Sequence, residues 1–259
     1  IAVMHYTDLW ISQKHMYQVE SIGSKFDVTF TRSKSLLEES KKLGIKNLSD
    51  FIVYSGVPYA ESRRSADIAF SKDKPVKLLY VGKLIERKHL DYVIKAMGQL
   101  KWKKNLMLTV VGEGPEKQRF EELSKKYGIE GQVRFIGKLT REEVYRAMGD
   151  ADIFIMPSVE ETLGLVYLEA MMNGCLTVGT KGEGIDGIIE DGKNGFLVDP
   201  GSEKSVVETL QRILRLPNDE IQQISLAATE TGKVFNEPDM AKRYLNKIRQ
   251  LVREKGGNA

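Results

Sequence analysis

Cysteine is almost missing from this chain, and the other scarcities narrow its reading quickly. A single cysteine, Cys175, cannot close an internal disulfide, which fits a reducing, cytoplasmic compartment. No apolar run approaches the roughly 18–20 residues that a membrane span needs. Neither sign of charge dominates: 39 basic residues against 36 acidic ones leave +3, interspersed, so the total calls for no nucleic acid. No signal-peptide pattern opens the chain. No internal repeat and no low-complexity stretch occurs. No Gly-x-Gly-x-x-Gly stands at a strand-to-helix turn with an acidic residue downstream, which argues against a nicotinamide-dependent oxidoreductase. The chain starts at Ile1 without an initiator Met, and a fragment is expected on that ground.

What is present is ordinary for a globular protein: 259 residues, 41% apolar and 29% charged. That length holds one large α/β domain, or one domain and part of another. Short strand signals at Ile1–His5, Asp27–Phe30 and Phe51–Tyr54, with a helix Ser33–Leu43 stopped by Gly44, read as part of a first unit. The polar stretch Ala60–Pro75 reads as a linker, with the boundary near Gly56–Ser62. From Val76 the rhythm is regular. Apolar strands at Val76–Val81, Leu106–Val111, Val133–Ile136, Ile153–Met156, Leu176–Val178 and Phe196–Val198 alternate with amphipathic helices, and Thr140-x-x-Glu143 is a capping box. Near-continuous apolar strands joined by helices predict a parallel sheet covered on both faces. Such sheets bind ligands at the carboxyl ends of their strands, where Gly82, Gly112 and Glu161 fall. The tail is read as helical over Ser202–Leu214 and Asp219–Val234, with a last helix over Pro238–Val252.

The stretch that carries most chemistry is Pro157–Gly174, PSVEETLGLVYLEAMMNG. It reads as a short helix with Thr162 as N-cap, Leu165 in its first turn and Gly174 as its stop. Glu161 lies just outside the N-terminus, and Glu169 about two turns on. Gly164 leaves room beside bare backbone N–H groups, a geometry that holds phosphate. Lys83 and Lys88 bring two cations to the end of the first strand of the second unit. They are either a solvated pair or contacts to a diphosphate, each worth roughly 1.5–3 kcal/mol if charge-assisted. Asp150-Ala151-Asp152 has the form of a metal motif but precedes its strand, at the wrong end, so no metal site is expected. Lys101-Trp102-Lys103-Lys104 is either a headgroup contact at a membrane surface or a solvated loop.

The Glu161-x7-Glu169 segment resembles that of the retaining glycosyltransferases of GT-B fold, specifically glycosyltransferase family 4. The resemblance extends over nearly the whole chain. It implies a complete C-terminal Rossmann-like domain over residues 56–236, a partial N-terminal, acceptor-side domain over 1–55, and a final helix, 237–259, crossing back. Gly82-Lys83-Leu84 stands where the family has Gly-Arg-Leu, so a point charge replaces a bidentate fork. Gly112-x-Gly114-Pro115 is similar to the family's loop after the second strand, or is turn chemistry alone. Arg134 lies in the stretch that reads the nucleobase, or is a solvated strand residue. His5 matches a histidine facing the donor across the cleft, though a histidine at a strand end is more often structural. Gly182–Gly187 occupies the place of a Gly-Gly-x-Pro-Glu loop, with Gly187 at the position of the glutamate.

The implied reaction moves a sugar from a nucleoside diphosphate to a saccharide or lipid-linked hydroxyl, with retention and without a metal or other cofactor. His5, Lys83, Lys88 and Glu161 would serve the reacting centre. Gly82, Gly112, Gly114, Arg134, Gly164, Leu165 and Glu169 would hold the nucleotide. A donor-binding subunit that needs a partner or a missing N-terminal segment, and a UDP-sugar epimerase of the same fold, remain alternatives. With the first unit incomplete, the chain alone is expected to be a poor catalyst.

Overall fold

Strand Val76–Val81 shows why the larger sheet sits where it does. Five of its six residues are apolar, and Val76, Leu78, Leu79 and Tyr80 are all buried. A strand buried on both faces must lie inside a covered, parallel sheet. The computed structural model describes residues 1–4, 25–58, 64, 67–71, 73–100 and 105–256. His5 and the Lys101–Lys104 cluster lie outside them.

The described residues form β1 (Ala2–Met4), β2 (Thr29–Thr31), α1 (Lys34–Lys42), β3 (Leu48–Ile52), β4 (Val76–Val81), α2 (Leu90–Leu100), β5 (Leu106–Val111), α3 (Lys117–Lys126), β6 (Val133–Gly137) and α4 (Arg141–Asp150). There follow β7 (Ile153–Ile155), α5 (Leu165–Met172), β8 (Leu176–Thr180), β9 (Phe196–Val198), α6 (Glu203–Ile213), α7 (Asn218–Val234) and α8 (Glu237–Gly256). Two parallel sheets result. The smaller has the order β1-β2-β3, the larger β6-β5-β4-β7-β8-β9. In the larger sheet β4 pairs with β5 on one side, Leu78 opposite Leu108, and with β7 on the other, Leu78 opposite Ile153. The chain therefore winds outward from β4 in one direction, returns, and winds outward in the other. The gap between β4 and β7 is the topological switch point, where helices on opposite faces leave a crevice at the strands' carboxyl ends.

Local chemistry sets the helix ends. Ser33 caps α1 by accepting from Leu36 N–H at 3.3 Å, and Gly44 follows that helix at φ 68°. Thr140 and Glu143 close both halves of the capping box on α4. Ser202 caps α6. On α2, Leu90, Val93, Ile94 and Met97 are fully buried against the sheet.

Beyond shifts of one or two residues at strand ends, as in Thr29–Thr31 for Asp27–Phe30, three differences from the sequence reading bear on the architecture. The third strand runs over Leu48–Ile52 rather than Phe51–Tyr54, because the apolar pair Phe51–Ile52 ends a strand paired with β2 instead of starting one. The linker is not simply a solvated spacer. Ile68 is 1% exposed in the main core, and Arg64 donates from Nε to the Asn173 carbonyl at 3.3 Å and from Nη2 to that of Ala151. The last helix is longer at both ends. It follows a crossing in which Val57 N–H donates to the Phe235 carbonyl at 2.8 Å and Glu237 N–H to that of Val57 at 2.9 Å. α8 then returns to the smaller sheet, where the Tyr244 ring meets Phe30 edge-on at 6.0 Å. No helix among the described residues is long and apolar enough to cross a membrane.

Candidate active site

The switch point holds a cavity of about 590 Å³. Its walls come from the loop after β4 (Gly82, Lys83, Arg87, Lys88), the start of α4 (Leu139, Arg141, Val144), the end of β7 (Met156) and the α5 entry (Glu161, Gly164, Leu165, Val166, Glu169). Four cationic side chains face two carboxylates, a balance suited to a ligand of about two negative charges. The first turn of α5, at Leu165 and Val166, adds the positive end of a helix dipole.

Each side chain is placed by its element. Tyr80 is buried at the end of β4, and its hydroxyl donates to the Lys83 carbonyl at 3.1 Å, fixing the loop that carries the cations. Burial, with the Glu161 charge second, holds that phenol far above its ordinary range. Tyr167 fixes α5 in the same way, its hydroxyl donating to the Met156 carbonyl at 2.6 Å. Gly164 is the N-cap, at φ 74°, and a Cβ there would stand 2.5 Å from the Tyr167 ring. Thr162 is thus not the N-cap; the left-handed turn that brings the chain into α5 needs glycine instead.

The two glutamates sit differently. Glu161 pairs with Lys88 Nζ and accepts from Ser158 Oγ at 3.1 Å, the lysine and glutamate side chains being 12% and 17% exposed. Its own N–H donates to the Glu183 carboxylate at 2.7 Å. Glu169 accepts from the Tyr145 hydroxyl at 3.2 Å, with Arg141 Nε 4.0 Å away. Burial pushes the Glu169 carboxyl above its ordinary range, opposed by Tyr145 and Arg141. Burial and then the Glu169 charge push the Tyr145 hydroxyl up to about 12.

Of the residues singled out from sequence, Gly82, Lys83, Lys88, Glu161, Gly164, Leu165 and Glu169 meet around this cavity. Gly112 and Gly114 do not line it. A Cβ on Gly112, at φ 135°, would fall 2.0 Å from the Gly82 carbonyl oxygen, and one on Gly114 2.2 Å from that of Leu84. These two glycines let the loops after β4 and β5 touch. Arg134 is exposed within β6, opposite Thr109, away from the cavity. Asp152 accepts from Lys77 N–H at 2.8 Å at the opposite end of the sheet, and among the described residues no group of three or more His, Cys, Asp or Glu could hold a metal. Cys175 is buried, with its thiol donating to the Met148 carbonyl at 3.1 Å; burial pushes it up to about 12.

Sequence reasoning missed Arg87, Arg141, Tyr145, Ser158 and Glu183. Two carried a signal. Arg87 precedes Lys88 in the same loop, and Arg141 follows the Thr140 cap at the carboxyl end of β6. Tyr145 and Glu183 act through partners more than twenty residues away, which only the fold reveals, and Ser158 meets Glu161, three residues on, only through the turn between them.

Residues 62–231 match the family model described as glycosyl transferases group 1. The chain is 31% identical over 142 residues to the lipopolysaccharide core biosynthesis glycosyltransferase LpsE of Rhizobium meliloti, covering 55% of this chain and 40% of that protein. It is 27% identical over 226 residues to N-acetyl-alpha-D-glucosaminyl L-malate synthase of Bacillus anthracis, covering 83% and 58%. The chain thus spans less than two thirds of either relative. Among solved structures, Anabaena HepE in complex with UDP and glucose superposes with a TM-score of 0.74 at 17% identity, over 95% of this chain and 68% of that one. The fold is accordingly that of the GT-B glycosyltransferases.

Proposed function

This chain belongs to the group 1 glycosyl transferases, and on that premise we propose that its cavity binds the nucleoside diphosphate of a sugar donor. The single observation behind this reading is the convergence of Lys83, Arg87, Lys88 and the α5 N-terminus on one cavity that also carries two carboxylates. Cations and amides suit a diphosphate, and carboxylates suit sugar hydroxyls as acceptors. Glu169, towards Arg141 and Tyr145, takes the ribose hydroxyls. Glu161, towards Lys88, takes those of the donor sugar.

The reaction in this reading is transfer of the sugar to a hydroxyl of a saccharide or lipid-linked acceptor, with retention. The bond between the anomeric carbon and the diphosphate oxygen breaks, and a bond to the acceptor oxygen forms on the same face. The departing phosphate oxygen takes the acceptor proton. Lys83, Lys88 and the α5 amides stabilise the charge that develops on that oxygen. A thermal-shift panel of UDP-, GDP- and ADP-sugars in the presence of chelator tests the donor half: at least one should raise Tm in a concentration-dependent way. Where turnover is obtained, NMR of the product reads the anomer, and an inverted linkage would refute retention.

A further inference from the structure

Glu160, next to the cavity glutamate, holds φ 57°, a left-handed conformation that a residue with a side chain keeps only where its surroundings enforce it. Two opposite charges enforce it here. On one side Arg87 Nη1 donates to the carbonyls of Val159 at 3.2 Å and Glu160 at 3.1 Å, and the Arg87 carbonyl accepts from Val159 N–H at 2.9 Å. On the other, the Glu183 carboxylate accepts from Glu161 N–H at 2.7 Å, while Gly184 N–H donates to the Glu161 carbonyl at 3.0 Å. Burial pushes the Glu183 carboxyl up, the backbone N–H groups of Glu161 and Glu160 favour its charged form, and the charges of those two glutamates oppose it. Successive N–H groups beside a left-handed residue make an anion-binding concavity. A carboxylate of the chain itself fills this one. The approach is close: a Cβ on Gly184 would stand 2.4 Å from the Thr162 carbonyl.

Glu183 does not line the cavity, whereas Glu161 does. We propose that Glu183 is a positioning residue: with Arg87 it clamps the two polar edges of the turn at residues 159–161 and so sets where the Glu161 carboxylate stands against the donor sugar. This rests on the reading of the cavity as a donor site. It gives a role to a glutamate inside a glycine-rich loop, where a carboxylate is not required by the turn itself.

The test compares Glu183→Ala with Glu183→Gln in the full chain. Gln keeps an oxygen acceptor for the turn; Ala does not. Amide hydrogen exchange of the 158–163 segment should accelerate at least about tenfold in Glu183→Ala, the scale of one charge-assisted bond, and by clearly less in Glu183→Gln, which keeps a neutral acceptor. Calorimetry with UDP, GDP and ADP, each free and as its glucose conjugate, gives the second readout. Glu183→Ala should weaken the conjugate about tenfold, change the free diphosphate by less than about twofold, and be rescued by Glu183→Gln. Unchanged exchange, equal losses for both ligands, or a Gln variant no better than Ala would overturn the clamp. Absence of nucleotide binding by the unmutated chain would overturn the donor reading and the role given to Glu183 with it, while exchange at the turn would still decide whether the clamp exists.

Discussion

Glu161 and Glu169 lie eight residues apart and face one cavity, yet their partners predict different behaviour. Glu161 is held by Lys88 and Ser158, on the side assigned to the donor sugar. Glu169 is held by Tyr145, beside Arg141. We predict that Glu169→Ala weakens a free nucleoside diphosphate and its sugar conjugate alike. Glu161→Ala should spare the free diphosphate and weaken the conjugate, by roughly 1.5 kcal/mol or more if a charge-assisted bond is lost. Calorimetry showing equal losses for both ligands in both variants would contradict the assignment. Glu169 also ties stability to pH. Its carboxyl is held above its ordinary range, so as pH rises from about 4.3 the native state keeps a proton that the unfolded chain has lost, and stability falls. That cost is absent at lower pH and persists above the raised value. Glu169→Gln, which keeps an acceptor for Tyr145, should therefore raise Tm at pH 7.5 relative to the unmutated chain and lose that advantage at pH 3.5. A variant less stable at both pH values would show that Tyr145 and Arg141 outweigh the burial of the charge.

At the scale of single elements, the loops after β4 and β5 depend on glycine for a steric reason. Gly112 combines φ 135° with a Cβ position 2.0 Å from the Gly82 carbonyl oxygen, so Gly112→Ala must both strain its backbone and part the two loops. We predict a loss of at least about 2 kcal/mol, read as a lower midpoint in urea unfolding; a change within about 0.5 kcal/mol would contradict the packing role. The distinction was not available from sequence, where a glycine that touches phosphate and one that touches a neighbouring carbonyl look alike. Much else was available. The strands Val76–Val81, Leu106–Val111 and Phe196–Val198 were legible to the residue, because parallel strands buried on both faces leave uninterrupted apolar runs. The capping box at Thr140 was legible, and Ser33 and Ser202 were legible as helix starts, because the chemistry of a helix end is local. The α5 entry was not, since Thr162 has the chemistry of a cap while the turn falls at Gly164, closed over a Tyr167 ring whose hydroxyl the fold ties back to Met156. For the same reason the pairing of Glu161 with Lys88 was visible as two suggestive residues but not as a contact: 73 residues separate them.

Across the whole molecule, the cavity is walled by loops and helices that belong to the larger sheet, while α8 packs on the smaller one through Tyr244 and Phe30. Tyr244→Ala should therefore cost about 1–2 kcal/mol of stability and leave nucleoside diphosphate affinity unchanged; a parallel loss of affinity would show that the smaller sheet shapes the cavity. The position of that cavity at the β4–β7 switch point unites the fold with the proposed chemistry. Isothermal titration of UDP, GDP and ADP into the chain, with chelator present, measures that link most directly. The account predicts that at least one binds with one-to-one stoichiometry, and that Lys88→Ala weakens it by at least roughly 1.5 kcal/mol, more than tenfold. Binding that requires a divalent metal would contradict the metal-free scheme, and binding that is undiminished in Lys88→Ala would contradict the placement of the donor in this cavity.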